Sequence, residues 1–371
     1  MDPSAPDGPG LGARAAPAPP TPDTGPRSPT DEAALLERAL FEVKRVIVGQ
    51  DHMIERLLAC LLARGHGLVE GVPGLAKTLA VETLASVVGG SFVRLQFTPD
   101  LVPSDLVGTR IYRASSESFD VELGPVFANF VLTDEINRAP AKVQSALLEV
   151  MAERHVSIAG TTYPVPDPFL VLATQNPIES EGVYALPEAQ RDRFLMKVLV
   201  DYPSPAEEIE IVQRMGVDPP RAQQVLTPAD LRRLQRRADA VLAHRAVVDY
   251  AVRIVFATRA PAQFGCPELA SAIAFGASPR ASLGLVAAGR ALALLRGREY
   301  LLPDDVTGCA REVLRHRLAL SYEALAQGVD VESVLSRILA AVPAPAIAPS
   351  QHPTAADPQG DERWAPGERI A

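Results

Sequence analysis

The chain has 371 residues, enough for about two domains at roughly 100–200 residues each, and its 47% apolar content can supply a sizeable core. A net charge of −9 gives no sign of a nucleic-acid or anionic-membrane binder. Cys60, Cys266 and Cys309 stand far apart, with no CxxC pair and no histidine at ligand spacing, which argues against a disulfide framework or structural zinc and for reduced cytosolic thiols.

Residues 1–30 are rich in proline and glycine and too poor in apolar residues to order themselves, so they read as a disordered arm. They contain no apolar segment of the kind a signal peptide needs. No apolar run further along approaches the roughly 20 residues of a membrane helix, since the stretch from Leu283 to Leu295 carries Arg290. A cytoplasmic protein without membrane insertion is the expectation.

The first half alternates short apolar runs with helical patterns. Gly67–Glu70 and Phe92–Gln96 read as strands on either side of a helix over Lys77–Val88. Phe130–Thr133 is a third strand, Val143–Glu153 a helix and Phe169–Ala173 a further strand. Such alternation predicts a parallel sheet with crossover helices. Gly160, between β-prone segments, predicts a hairpin within His155–Phe169. From Ser204 onward nearly every segment reads as a helix, with Ser204-Pro205, Thr227-Pro228 and Ser278-Pro279 as cap-and-first-turn signatures. The chain therefore divides into an α/β domain over 31–202, an all-helical domain over 203–342 and a Pro/Ala-rich tail over 343–371.

Gly71-Val72-Pro73-Gly74-Leu75-Ala76-Lys77-Thr78 follows a strand and opens a helix. Glycines let backbone amides close around an anion, and the helix N-terminus adds partial positive charge. Lys77 is suited to the β- and γ-phosphates of ATP and the Thr78 hydroxyl to Mg²⁺. Gly71, Pro73, Gly74, Leu75, Ala76 and Leu79 complete the nucleotide-binding set. Ala76 stands where the pattern asks for a second glycine, which predicts helix-like dihedrals there, because a left-handed alanine is costly.

Phe130-Val131-Leu132-Thr133-Asp134-Glu135 is a strand ending in two carboxylates, delivered to the ligand crevice of a parallel sheet. Asp134 is suited to hold Mg²⁺ and Glu135 to activate the attacking water. A second apolar strand ends in Thr174-Gln175-Asn176-Pro177 at the same edge, where Asn176 can hydrogen-bond the water or the γ-phosphate. Arg193 follows in Leu186–Phe194; an arginine at a domain rim can complete a neighbour's site. Ser278-Pro279 puts Arg280 in a first helical turn, where a cation opposes the helix dipole and a nearby anion such as the γ-phosphate would explain it.

Taken in order, these elements resemble the AAA+ ATPases, and their wording resembles the MoxR branch. Val48-Gly49-Gln50 looks like the adenine-side element, and Gly71–Thr78 looks like the family's phosphate loop, alanine included. Gly124-Pro125-Val126-Phe127-Ala128-Asn129, leading into Asp134-Glu135-Ile136-Asn137-Arg138-Ala139-Pro140, is the most specific match. Ala173–Pro177, Leu186–Phe194 and Gly276–Arg280 extend it over roughly residues 35–340. The resemblance implies an α/β P-loop AAA+ fold, its parallel sheet sandwiched by helices and followed by an all-helical lid. It implies Mg²⁺-dependent ATP hydrolysis with Asn176 and Arg280 as sensors and Arg193 as finger. Arg191, at a position usually apolar in the family, is the alternative finger. A second hairpin is implied within Asp105–Leu123, both hairpins lining the pore of a ring, normally a hexamer. A remodeller of protein clients, working with a partner that carries a von Willebrand factor A domain, is the function implied.

A chelatase-like motor subunit is the nearest enzymatic alternative. A nucleic-acid motor should carry basic pore hairpins. His155–Phe169 has no lysine or arginine, and Asp105–Leu123 sets Arg110 and Arg113 against four carboxylates, Asp105, Glu117, Asp120 and Glu122. A nucleotide-gated scaffold without turnover would call for a missing base or finger, and Glu135 and Arg193 are both present. The basic run from Arg232 to Arg237, with Asp230 and Asp239 nearby, reads as a solvated helix face.

Overall fold

Continuous apolar runs, rather than alternating ones, are what a strand covered on both faces requires. The computed structural model describes residues 29–115, 117–177 and 184–346. The predicted arm, apart from its last two residues, and the predicted tail beyond residue 346 lie outside the described residues. In chain order, helices α1 (Pro29–Val46) and α2 (Asp51–Leu62) precede β1 (Gly67–Glu70), α3 (Lys77–Val88), β2 (Phe92–Gln96) and α4 (Pro103–Val107). A hairpin of β3 (Gly108–Arg113) and β4 (Ser118–Leu123) leads to β5 (Phe130–Asp134) and α5 (Ala141–Glu153). A second hairpin, β6 (His155–Ile158) and β7 (Thr161–Pro164), precedes β8 (Leu170–Gln175), α6 (Glu188–Arg191) and β9 (Met196–Leu199). Both hairpins fall inside the predicted intervals, and β8 starts one residue later than expected and runs on to Gln175.

β2, β5, β8, β1 and β9 form one sheet in that order, every pair parallel. Successive residues of each strand point to opposite faces, so each strand feeds two cores. Phe130, Leu132, Leu170 and Leu172 join a core with α1, α2 and α3, whereas Val131, Val171 and Ala173 join another with Val143 and Leu147 of α5. β5 is buried along its whole length. The sheet is therefore sandwiched, and its polar residues are confined to strand ends and the edges.

The remaining elements are α7 (Pro205–Met215), α8 (Pro228–Ala240), α9 (Arg245–Arg259), β10 (Ile273–Phe275), α10 (Pro279–Leu295), α11 (Pro303–Leu314), β11 (Ala319–Leu320), α12 (Tyr322–Ala326) and α13 (Val331–Ala341). Ser204 and Thr227 form capping boxes with Glu207 and Asp230, and the Ser278 hydroxyl accepts the Arg280 N–H. The expectation of an all-helical second half needs one correction. β10 and β11 pair antiparallel, which satisfies backbone groups of two connecting segments that no helix takes up.

The helical lid is not a detached body. Leu285 and Leu292 of α10 lie in the same core as Leu57 and Leu61 of α2, and α10 packs against α2 while α11 packs against β9. Polar bonds seal the junction. The Gln235 amide donates to the Leu61 carbonyl at 2.8 Å, Arg315 donates to the Lys197 carbonyl at 3.0 Å, and a ring nitrogen of His316 lies 3.0 Å from the Phe194 carbonyl. An apolar junction of this kind fixes where the lid's side chains stand relative to the sheet.

Candidate functional site

The turn between β1 and α3 shapes the site. Gly74 takes φ +86°, and a Cβ there would meet nothing within 4 Å, so its glycine answers the backbone conformation and leaves an open cradle. Gly71 is needed for a different reason: a Cβ would sit 2.8 Å from the Val200 carbonyl oxygen. Ala76 departs from expectation. It adopts φ 55°, ψ 19°, a left-handed conformation immediately before α3, where helix-like dihedrals were expected. The turn must bring successive N–H groups to one concave side before the helix begins, and a residue of positive φ is what reverses them. Alanine accepts the strain because it has the smallest side chain that can.

A cleft of about 400 Å³ opens over this turn. Pro73, Gly74, Leu75, Ala76, Lys77, Thr78 and Leu79 form one wall. Asp134, Glu135, Thr174 and Asn176, from the carboxyl ends of β5 and β8, stand on the other. The Lys77 ammonium donates to the Gly71 carbonyl. Burial pulls the Lys77 pKa down, and the nearby charges of Asp134, Glu135 and Glu70 oppose that pull without overcoming it. An ammonium that has lost hydration gains more from an incoming phosphate than a fully solvated one. Beside the cleft, and sharing Gly74, Leu75, Ala76 and Leu79 with it, an apolar pocket is lined by Val48, Ile47, Ile211 and Met215. Gly49, the other expected adenine-side residue, turns the chain at φ +64° just before α2.

The two carboxylates are held individually. Asp134 is buried; the Thr174 hydroxyl donates to its Oδ1 at 3.2 Å and Arg94 Nε to its Oδ2 at 2.6 Å. Thr174 also accepts the Glu135 N–H at 3.0 Å. Glu135 leaves β5 with φ 56°, ψ 53°, and its Oε2 accepts from Gln96 and from Arg138, each at 2.9 Å. Asn176 is buried at the end of β8 in the same cleft. A threonine hydroxyl and one carboxylate beside open space suit Mg²⁺, which takes few protein oxygens and completes its shell with water and phosphate. Among the described residues no cluster of three or more His, Cys, Asp or Glu could hold a metal alone.

Arg94, Gln96 and Thr174 were not singled out from the sequence. Arg94 and Gln96 alternate with apolar neighbours in Phe92–Gln96, so they share one strand face, and that two-residue spacing was the available signal. Which element that face addresses depends on β2 pairing with β5, with Gln96 beside Asp134.

Arg193 and Arg280 stand elsewhere. Leu195 donates its N–H to the His66 carbonyl at 2.8 Å, just ahead of β1, so the segment carrying Arg193 lies at the amino edge of the sheet. The phosphate loop leaves the carboxyl edge, roughly 13 Å away along four residues of strand. The two arginines line a separate depression of about 420 Å³ with His66, Arg154, Asp192 and Arg317. Asp192 is its hub: Arg317 Nε lies 2.7 Å from one oxygen, while the Ser278 hydroxyl at 2.9 Å and Arg280 at 3.5 Å approach the other. Arg193 is exposed and has no carboxylate partner among the described residues. Arg191 lies 3.8 Å from Glu188 on its own short helix. The fold thus gathers Lys77, Thr78, Asp134, Glu135 and Asn176, and keeps Arg193 and Arg280 away from their own chain's cleft.

Known proteins resemble this chain in sequence and in fold. Residues 66–196 match the profile described as the ATPase family associated with various cellular activities (AAA), and residues 269–338 match that of the AAA lid domain. The chain is 63% identical over 336 residues to Chaperone MoxR1 of Mycobacterium tuberculosis, covering 91% of this chain and 89% of that one. It is 34% identical to Protein MoxR of Methylorubrum extorquens over 85% of this chain and 96% of the relative. A crystal structure of a Cytophaga hutchinsonii protein, 45% identical, superposes with a TM-score of 0.81 over 85% of this chain and 96% of the other.

Proposed function

The chain belongs to the MoxR family of AAA ATPases, and we propose that it is an ATP-hydrolysing, chaperone-like remodeller of protein clients, serving complex assembly or cofactor or metal insertion. The observation that carries this reading is one cleft with Lys77 and Thr78 on one wall and Asp134, Glu135 and Asn176 on the other. The adenine enters the pocket beside Val48 and Gly49, and the phosphates lie over the loop amides and Lys77. A Mg²⁺ ion, held by Thr78 and Asp134, would supply neutralising charge at the terminal phosphates. Glu135 takes a proton from the attacking water, whose oxygen bonds to the γ-phosphorus as the bond to the β-phosphate oxygen breaks; ADP and phosphate leave. Gln96 and Arg138 aim the Glu135 carboxylate, and Asn176 orients the water.

Arg193, exposed at the opposite edge and without a carboxylate partner among the described residues, completes the cleft of the next chain in a head-to-tail ring, which we take to be a hexamer. Arg280, joined to Asp192 beside it, belongs to the same trans-acting face rather than to its own nucleotide. The β3–β4 hairpin supports a polypeptide over a nucleic acid as the client. Arg113 is paired with Asp120 at 2.7 Å, Arg110 sits 4.4 Å over the Phe119 ring, and Tyr112 and Phe119 are exposed. A partner with a von Willebrand factor A domain and a cytoplasmic setting belong to the same proposal. Among the described residues no helix is long and apolar enough to cross a membrane.

The deciding measurement is ATP hydrolysis per subunit across a dilution series with Mg²⁺, with Glu135→Gln as the blank. Specific activity should rise with protein concentration and fall by about 10²-fold or more in the variant. A flat rate that ignores the substitution would discard the remodeller in favour of a nucleotide-binding scaffold.

A further inference from the structure

With Arg193 and Arg280 at the amino edge, the cations lining a chain's own phosphate cleft among the described residues are Lys77 and Arg94. Lys77 and Arg94 together just offset Asp134 and Glu135 on the facing wall. Arg138, which pairs with Glu135 at 2.9 Å from outside the lining, adds to that balance, so removing Arg94 takes away one of the two lining cations that face a polyphosphate. Arg94 stands on β2, two residues before Gln96, and its side chain is 56% exposed, whereas that of Asp134 is 10% exposed. It reaches Asp134 through Nε, at 2.6 Å. Neither terminal nitrogen has a partner among the described residues. A planar guanidinium can hold one anion at Nε while offering its Nη hydrogens to another, which a lysine ammonium cannot do with the same fixed geometry.

We propose that Arg94 is a ligand for the terminal phosphate of ATP: Nε stays on Asp134 and the Nη edge binds γ-phosphoryl oxygens. A single chain then tells ATP from ADP before any neighbour supplies Arg193. The proposal rests on the reading of the cleft as an ATP site. It gives the Asp134–Arg94 pair a task beyond satisfying a buried carboxylate, since the same bond that pairs Asp134 aims the guanidinium at the phosphates.

The test is calorimetric binding of ADP and of a non-hydrolysable ATP analogue to the full chain, each with Mg²⁺ and in EDTA. Wild type, Arg94→Ala, Arg94→Lys and Lys77→Ala are compared, with far-ultraviolet circular dichroism as the folding check. Arg94→Ala should weaken the ATP analogue by about tenfold or more and ADP by less than about twofold, in both buffers. Arg94→Lys should also lose most of the preference for ATP, giving a second variant on which the idea can fail. An equal loss for both nucleotides, or a loss confined to the Mg²⁺ buffer, would reduce Arg94 to positioning Asp134 and overturn the proposal. If Lys77→Ala abolishes binding while Arg94→Ala changes nothing, the proposal falls and the ATP site stands. If wild type binds neither nucleotide, both fall.

Discussion

Arg280 and Asp192 stand 3.5 Å apart across the junction of lid and sheet, at the amino edge, while Lys77 lines a cleft at the carboxyl edge. Ser278 and Arg317 bond the same carboxylate, so this contact is tied into the fold on three sides. A lid arginine held there cannot report on its own nucleotide without leaving Asp192.

Two inactive chains should therefore rescue each other. On the proposed mechanism Lys77→Ala lacks a phosphate ligand, and Arg193→Ala lacks the group offered to the neighbour. Mixed and allowed to re-equilibrate, they should regain about a quarter of wild-type ATPase activity. That is the share of random head-to-tail junctions at which both residues are intact. A mixture no more active than its components would place Arg193 outside the reaction.

Ala76 carries a left-handed backbone that glycine adopts freely. Ala76→Gly should gain or hold stability, by up to about 1 kcal/mol, because the relief of strain exceeds the added freedom of the unfolded chain. Ala76→Val should lose more than about 1 kcal/mol, since a branched side chain tolerates positive φ still less. Urea denaturation midpoints of the two variants check this. A destabilised Ala76→Gly would mean that the methyl group packs usefully.

Two buried histidines predict a pH dependence. His66 accepts the Val171 N–H at Nδ1 (2.9 Å) and faces the Met151 carbonyl with Nε2 (3.2 Å), an arrangement that suits the neutral ring. Burial, and then repulsion from Arg154, brings its pKa down to about 3. Burial, and then Arg317, holds His316 well below the usual range too, with Lys197 and Arg191 adding to the effect. The unfolded chain binds these protons near pH 6.5 and the folded chain does not. Their stability is complete above about pH 6.5 and is lost as the pH falls toward the folded values. Between pH 6.5 and 5, unfolding free energy should drop by up to about 1.4 kcal/mol per pH unit for each ring. His66→Asn should flatten the slope by about one proton. Urea midpoints unchanged from pH 7 to 5 would contradict the assignment.

Much of the fold could be read along the chain because its signals are local. The run Phe130–Leu132 is apolar on both faces, so it had to be an inner strand, and the caps at Ser204, Thr227 and Ser278 mark helices through their own hydroxyls. The phosphate loop and the Asp134-Glu135 pair were legible for the same reason: each is a contiguous stretch whose neighbours dictate where it points. Asn176 followed from its place at a strand end.

The rest was decided by pairing at a distance. Arg94 and Gln96 lie some 40 residues from the carboxylates they hold, and only the parallel register of β2 with β5 brings them there. The backbone at Ala76 was misjudged because a local preference for negative φ yields when a turn between β1 and α3 must reverse its amides. Arg280 could be assigned to the first turn of its helix, yet the edge of the sheet it faces depends on α10 burying its apolar side against α2. By itself the sequence determined which segments form strands, helices and the glycine-rich turn before α3, since those follow from residues a few positions apart. Only the tertiary structure decided which charges share a cleft and which are turned outward, because burial and strand order, summed over distant parts of the chain, set those positions.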